Sequence, residues 1–416
     1  MNNELIRELI LENQRIIGNL EMIKRDYTVY DNLNYVFVGL RRAGKSYLLY
    51  QQIQNLLSNG HKIEEILYFN FEDDRIDTLS LPDLDLLKTT YEKMFDCQPI
   101  FFLDEIQIID RWEKFARRLA DTKYRVYISG SNAKMLSSEI ATTLGGRYMI
   151  KNVFPYNFEE FLLANNIDIH EKNAIYKYAV EIRKLTEKYF NFGGLPEIVN
   201  VPDKREWLRS LYQKIFFGDI IARYQIRNDN ALKLLIKKLA ENVKQPTSYS
   251  RLANIISSAG VKASKDTVID YISHLKNSWL IFPLENFNSK FVERETKKKY
   301  YFIDNGLLNL FLLDPNAFLL ENLVAINLYQ RYENELYYYH NGIEVDFVVP
   351  EQKLAIQVSY SIADFDTRKR ETNALVQISK RFEIEKQIII TKDEEETISE
   401  QDVEIQVIPV WKWLLL

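Results

Sequence analysis

The stretch Gly39-Leu40-Arg41-Arg42-Ala43-Gly44-Lys45-Ser46 constrains this chain more than any other segment. It fits the pattern G-x-x-x-x-G-K-[ST]. A β-type run, Tyr35-Val36-Phe37-Val38, precedes it, and a helical pattern follows, with Leu48, Leu49, Ile53, Leu56 and Leu57 at helical spacing. The chemistry needs that context. Glycines let the backbone curl so that its N–H groups face phosphate oxygens. The helix N-terminus adds partial positive charge. Lys45 then reaches the terminal phosphates, and the Ser46 hydroxyl is a magnesium ligand. Only 13 of 416 residues are glycine, so two at this spacing stand out. The expectation is a site for ATP and Mg2+ built from Gly39, Leu40, Arg41, Arg42, Ala43, Gly44, Lys45, Ser46 and Tyr47.

Ile100-Phe101-Phe102-Leu103-Asp104-Glu105 supplies the expected second half, an apolar strand ending in two carboxylates. Asp104 is placed to hold magnesium, directly or through water, and Glu105 to polarise an attacking water. Ser129-Gly130-Ser131-Asn132 ends another strand. Ser131 or Asn132 there either senses the terminal phosphate or caps the helix expected from Ala133-Lys134-Met135-Leu136. Arg147, after Gly145-Gly146, is either an arginine finger reaching a neighbouring subunit's nucleotide or a surface arginine paired with a carboxylate.

Further strands are expected at Ile66–Phe71 and Arg125–Ser129, alternating with helical stretches such as Arg111–Asp121; residues 1–30 read as a helical arm. Strands alternating with helices argue for a parallel sheet, and their unbroken apolar runs for one buried on both faces. From Asn157 to about Asn230 the pattern is helical. Residues 231–310 are helical and close on a β-hairpin, Trp279–Phe282 with Tyr300–Ile303. The tail is mixed: a helix from about Leu319, strands near 336–340, 344–349 and 353–359, a helix near 366–382, then two last strands near 387–391 and 404–409. Lys392–Glu396 reads as a solvated loop between those two.

The order of GLRRAGKS, YFNFEDDR, FFLDEIQ, ISGSNAKML and GGRYMIKNVFPYNFEEFL resembles a family of prokaryotic AAA-type ATPases that carry a C-terminal restriction-nuclease-like domain of unknown function. NFGGLPEIV and FGDIIARYQI are similar to that family's helical lid. The resemblance implies an α/β fold: a P-loop ATPase core over 1–156 and a lid over 157–230 that closes on the adenine side. A winged helix-turn-helix over 231–312 and a degenerate nuclease-like α/β domain over 313–416 follow. In the winged helix, Tyr249–Ala259 is one helix, Gly260 the turn and Ser264–Leu275 the recognition helix. Lys262, Lys265 and Lys276 meet phosphates, and Lys290–Tyr301, with Lys297-Lys298-Lys299, forms the wing. The alternative is a protein-contact module.

In the tail, Glu321, Asp346 and Ile356-Gln357-Val358-Ser359 fall where such a nuclease places Glu, Asp and Glu-x-Lys. Gln357 and Ser359 replace the second carboxylate and the lysine, so a metal ligand and the cation are expected to be missing and DNA cleavage is disfavoured. The expected role is a scaffold or a partner-binding surface, with Glu321 and Asp346 as ordinary helix-start and strand-edge carboxylates.

Charge sharpens this division. Over 231–310 there are 13 basic and 7 acidic residues, net +6; over 311–416 the counts are 10 and 19, net -9; the whole chain carries -5. Only the middle segment has the sign expected of a module contacting duplex DNA. One cysteine, Cys97, excludes a disulfide framework, and four scattered histidines argue against a His-built metal centre. No apolar run approaches a membrane span and no signal-peptide core opens the sequence, so the expectation is a cytoplasmic protein without membrane contact. The function expected is Mg2+-dependent ATP hydrolysis, coupled to duplex DNA through 246–305 or to a protein through 313–416, in a homo-oligomer. The alternative is a nucleotide-gated regulatory module with little turnover, and the third reading is a nuclease.

Overall fold

The computed structural model describes residues 2–18, 20–76, 78–132, 135 and 138–416. Ala133, Lys134 and Leu136 of the expected helix after Asn132 lie outside them. The chain divides into two compact units, Met1–Phe154 and Pro155–Leu416.

The first unit is built on five strands: β1 Asn34–Val38, β2 Ile66–Asn70, β3 Ile100–Asp104, β4 Val126–Gly130 and β5 Tyr148–Asn152. All pair in parallel, in the order β2-β3-β4-β1-β5. The central strands are apolar because both faces are covered: every residue of β3 is buried, as are Tyr35 to Val38 of β1. Phe102 and Tyr127 stack across β3 and β4 with ring centroids 4.6 Å apart. Helices α1 Asn3–Gly18, α2 Lys45–Ser58, α3 Leu81–Phe95, α4 Trp112–Asp121 and α5 Ser138–Leu144 complete the unit. On α4 the buried residues are Trp112, Phe115, Ala116 and Leu119, one face of a 3.6-residue period.

Two elements differ from expectation. The arm is helical only to Gly18. Beyond it the chain is irregular and held by side chains: Arg25 is buried, its backbone N–H donates to Gln51 Oε1 at 2.8 Å, and its guanidinium donates to the Ala43 carbonyl at 3.0 Å. Strand β5 carries no strand signal in the sequence because it lies at the sheet edge, with Met149 and Ile150 exposed.

The second unit opens with helices, including Ala179–Phe192, Lys204–Lys214 and Asp229–Glu241. Its strands are β6 Thr247–Ser248, β7 Ile281–Asn286, β8 Lys297–Phe302, β9 Tyr337–His340, β10 Glu344–Val349, β11 Leu354–Val358, β12 Lys386–Thr391, β13 Glu396–Glu400 and β14 Val403–Pro409. They form one mixed sheet, ordered β13-β14-β12-β11-β10-β9-β7-β8-β6. The hairpin expected at 279–303 is β7 against β8. The expected helix pair is Tyr249–Ser258 and Lys265–Asn277, the second capped by Ser264. The acidic segment after β12 is not simply a loop to the last strand: Glu396 begins β13, an edge strand with mostly exposed side chains.

Two expectations about charged residues fail here. Two lysines of the expected wing do not face solvent: Lys298 is mostly buried and pairs with Glu285 at 2.9 Å, and Lys299 is fully buried. Glu321 is not a helix-start surface carboxylate. It is fully buried on the helix Asn316–Tyr332 and accepts a hydrogen bond from the Tyr301 hydroxyl at 2.9 Å.

Candidate nucleotide site

Because the first sheet is parallel, the C-terminal ends of its strands meet at one edge, where ligands of open α/β sheets bind. The register pairs Val38 with Gly130 and with Asn152, and Asn70 with Asp104. The glycine loop, the Asp104-Glu105 pair and Ser131-Asn132 therefore share that edge.

Backbone geometry explains the two loop glycines. A Cβ on Gly39 would lie 2.0 Å from the Val153 carbonyl oxygen, because the chain leaving β5 runs alongside and Val153 N–H donates to Val38 O at 2.6 Å. Gly44 sits at φ +95°, in the left-handed region, and no side chain caps α2 there. The first amides of that helix thus remain available to an anion. Leu40 and Ala43 are buried and anchor the loop, Arg41 pairs with Glu72 at 2.9 Å, and Arg42 turns the chain at φ 64°. Tyr47 is half exposed, its ring edge-on to Tyr50.

Lys45 is buried. Its ammonium donates to the carbonyls of Gly39 at 3.3 Å and Leu40 at 3.1 Å and lies 3.3 Å from Glu105 Oε1. Glu105 Oε2 accepts from Gln107 Nε2 at 2.5 Å and from the Ser131 N–H at 3.0 Å. Asp104 is fully buried; its carboxylate accepts from the Tyr68 hydroxyl at 2.6 Å and from the hydroxyls of Ser129 and Ser46. Ser129 also accepts from the Glu105 N–H at 3.1 Å.

The environment drives the two carboxyls apart. Burial, reinforced by the negative charge of Glu105, raises the Asp104 pKa. Burial also works against ionised Glu105, but Lys45, Gln107 and Arg41 outweigh it and hold its pKa below the usual range. Glu105 is therefore held as the ionised carboxylate of the pair. Ser46 and Asp104 offer adjacent hard oxygens of the kind magnesium prefers, and the uncapped α2 terminus with the Lys45 ammonium fits a polyphosphate.

Arg147 does not join this group. It precedes β5, whose Tyr148 pairs with Asn34 at the opposite end of the strands, and its Nε donates to Asp121 Oδ1 at 2.5 Å. Sequence reasoning passed over Tyr68, Gln107 and Ser129. A signal existed for Ser129, a serine inside the run Val126–Gly130, one position beyond the Leu103–Ile128 pair that sets β4 against β3.

Residues 31–162 match the family described as an AAA domain, and residues 183–317 match a domain of unknown function. An uncharacterized protein of Methanocaldococcus jannaschii is 34% identical, covering 99% of this chain and 95% of that protein. The chain belongs to the AAA-type P-loop ATPase family. An uncharacterized protein of Haemophilus influenzae is 32% identical over 91% of this AAA-type chain and 94% of that one. Among solved structures, the Walker-type ATPase of Pyrococcus abyssi is similar, with TM-score 0.43 and 12% identity over 71% of this chain and 99% of that one. Among the described residues no helix is long and apolar enough to cross a membrane.

Proposed function

We propose that this AAA-type protein binds ATP with Mg2+ at the Gly39–Ser46 loop and hydrolyses it, with Glu105 as the base. The observation that carries the reading is the convergence of the Lys45 ammonium and the Glu105 carboxylate, 3.3 Å apart, at the mouth of the loop. On ATP binding the Lys45 ammonium exchanges Glu105 for phosphate oxygens. Glu105, still oriented by Gln107 and the Ser131 amide, then accepts a proton from the attacking water. Ser46 and Asp104 are the residues that would hold magnesium, which supplies charge stabilisation on the phosphate oxygens when bound. Ser131 or Asn132 would sense the terminal phosphate; the alternative is that one of them caps the helix that follows. Arg147 would serve only a neighbouring copy, since it lies about 15 Å along the strands from its own loop.

The test is ATP binding and phosphate release by purified Lys45→Ala protein. Loss of both is expected; retained hydrolysis would contradict the assignment.

One observation favours a second reading, a nucleotide gate with little turnover. Glu105 is held by Lys45, Gln107 and the Ser131 N–H together, so catalysis waits on rearrangement. A rate below detection at high protein concentration, with tight ATP binding, would favour it. Coupling to duplex DNA rests on the exposed Lys262, Lys265 and Lys276, in or next to the helix Lys265–Asn277, since Lys298 and Lys299 are sequestered. Faster turnover with duplex DNA, lost in Lys262→Glu/Lys265→Glu, is the corresponding test. A protein partner for 313–416 is the remaining proposal; nuclease action is disfavoured, because Gln357 and Ser359 stand where a second carboxylate and a lysine would be needed.

A further inference from the structure

The second unit contains a cavity of about 780 Å³ bordered by Lys244, Glu321, Glu344, Asp346, Gln357 and Glu371. Three of these carboxylates meet at one nitrogen. Lys299 Nζ lies 3.1 Å from Glu344 Oε1, 3.3 Å from Asp346 Oδ1 and 3.4 Å from Glu321 Oε1. Lys299 and Glu321 are both fully buried. Burial opposes the ammonium's charge, yet Glu321 and its neighbours outweigh burial and hold the Lys299 pKa well above the usual lysine range.

The surroundings fix these groups in place. Asp346 Oδ2 accepts from the Val358 N–H at 2.9 Å. Gln357 Oε1 accepts from the Asp346 N–H at 2.9 Å, and Gln357 Nε2 donates to the Glu344 carbonyl at 3.0 Å. Glu321 Oε2 has no hydrogen-bond partner among the described residues; Lys244 Nζ lies 3.9 Å from it. Ser359, where a lysine was expected to be missing, hydrogen-bonds Ser361 O instead. The cation has therefore not been lost. It enters from β8, a strand whose lysines the sequence pattern assigned to nucleic acid.

We propose that the Lys299 ammonium is the resident cation of this pocket, standing where three convergent carboxylates would otherwise bind a divalent metal. Magnesium requires oxygen ligands at about 2.0–2.1 Å around a point that it fills itself. Here that point is occupied by a covalently attached charge, and an incoming metal would face an ammonium already neutralising its ligands. With Lys299 in place, no group of three or more His, Cys, Asp or Glu side chains among the described residues could hold a metal ion. The pocket is thus a charge-balanced anchor joining β8, β10 and the helix Asn316–Tyr332, and it does not act as a metal-dependent phosphodiesterase.

The test uses the full chain, nucleotide-free and carrying Asp104→Asn, so that the ATP site contributes no metal response. Without Lys299→Met, melting temperature is expected to be indifferent to EDTA or millimolar Mn2+. With Lys299→Met, it should fall by roughly 5–15 °C, since a buried pair has lost one partner. Mn2+ should restore most of that loss, and Asp346→Asn should abolish the rescue. Should Lys299→Met fail to fold, the double variant Lys299→Met/Glu321→Gln, which removes the ammonium together with its most buried partner, should recover folding without metal. The proposal is overturned if Lys299-containing protein binds Mn2+ through Asp346. It is also overturned if Lys299→Met melts like its parent without responding to Mn2+, or if the double variant is as unstable as the single one.

Discussion

Lys45 and Glu105 are joined as an ion pair 3.3 Å apart, so the loop's lysine and the carboxylate assigned to water activation hold each other. On the proposed reading, nucleotide takes Lys45 from Glu105. Glu105→Gln, which weakens the lysine's hold at nearly constant shape, should therefore bind ATP about three- to tenfold more tightly, as expected when a competing interaction worth about 1 kcal/mol is removed. Calorimetric titration of both proteins checks this; equal or weaker binding by the variant would mean the pair does not compete.

Ser129 holds Asp104 with its hydroxyl and takes the Glu105 N–H on its oxygen. Ser129→Ala should lower turnover roughly tenfold with little change in ATP binding. Removing a hydrogen bond to ionised Asp104 raises an already raised pKa further. The acidic limb of the turnover–pH profile should then move to higher pH, and more magnesium should be needed at pH 6 than at pH 8. Unchanged profiles would leave Ser129 as packing only.

Gly39→Ala places a methyl group 2.0 Å from the Val153 carbonyl oxygen. The strand edge must shift, at a cost of about 1–3 kcal/mol, and the loop should lose its fit to phosphate. Urea unfolding and ATP titration check the two effects; native-like values for both would show that the chain after β5 yields freely.

Asp304 is buried in the second unit, where it accepts from the N–H groups of Gly194 at 2.9 Å and Leu307 at 3.2 Å. Burial outweighs those bonds and pushes its pKa up to about 6, from an ordinary value near 3.8. The folded state therefore keeps the proton more tightly than the unfolded chain. This group's contribution to stability is full below about pH 4 and is lost as pH rises through 6, by on the order of 2–3 kcal/mol. Asp304→Asn cannot titrate, so the stability gap between it and the wild type should change across pH 4–7 in that direction. Parallel unfolding curves for the two proteins would contradict the assignment.

The ATP site was legible because its chemistry is local. Loop glycines, Lys45, Ser46 and a strand ending in Asp104-Glu105 are each marked by residue type within a few positions, and the parallel sheet assembles them. What escaped depends on partners distant in sequence. Gln107 and Tyr68 gain their roles only when β2, β3 and β4 are aligned. Strand β5 carries exposed residues and so lacks the apolar run that marked its neighbours. Lys299 read as part of a basic wing because Lys297-Lys298-Lys299 is a cationic run; only folding brings Glu321, Glu344 and Asp346 around it. Charge counted along a segment does not distinguish a lysine facing solvent from one enclosed by carboxylates.

The most direct measurement is phosphate release from saturating ATP and Mg2+ by wild-type protein and by Glu105→Gln, with bound nucleotide recovered and identified from each. The expected result is steady turnover by the wild type and a loss of about 100-fold or more in the variant, which retains intact ATP. Equal turnover by the two proteins would contradict the role of Glu105 as the base.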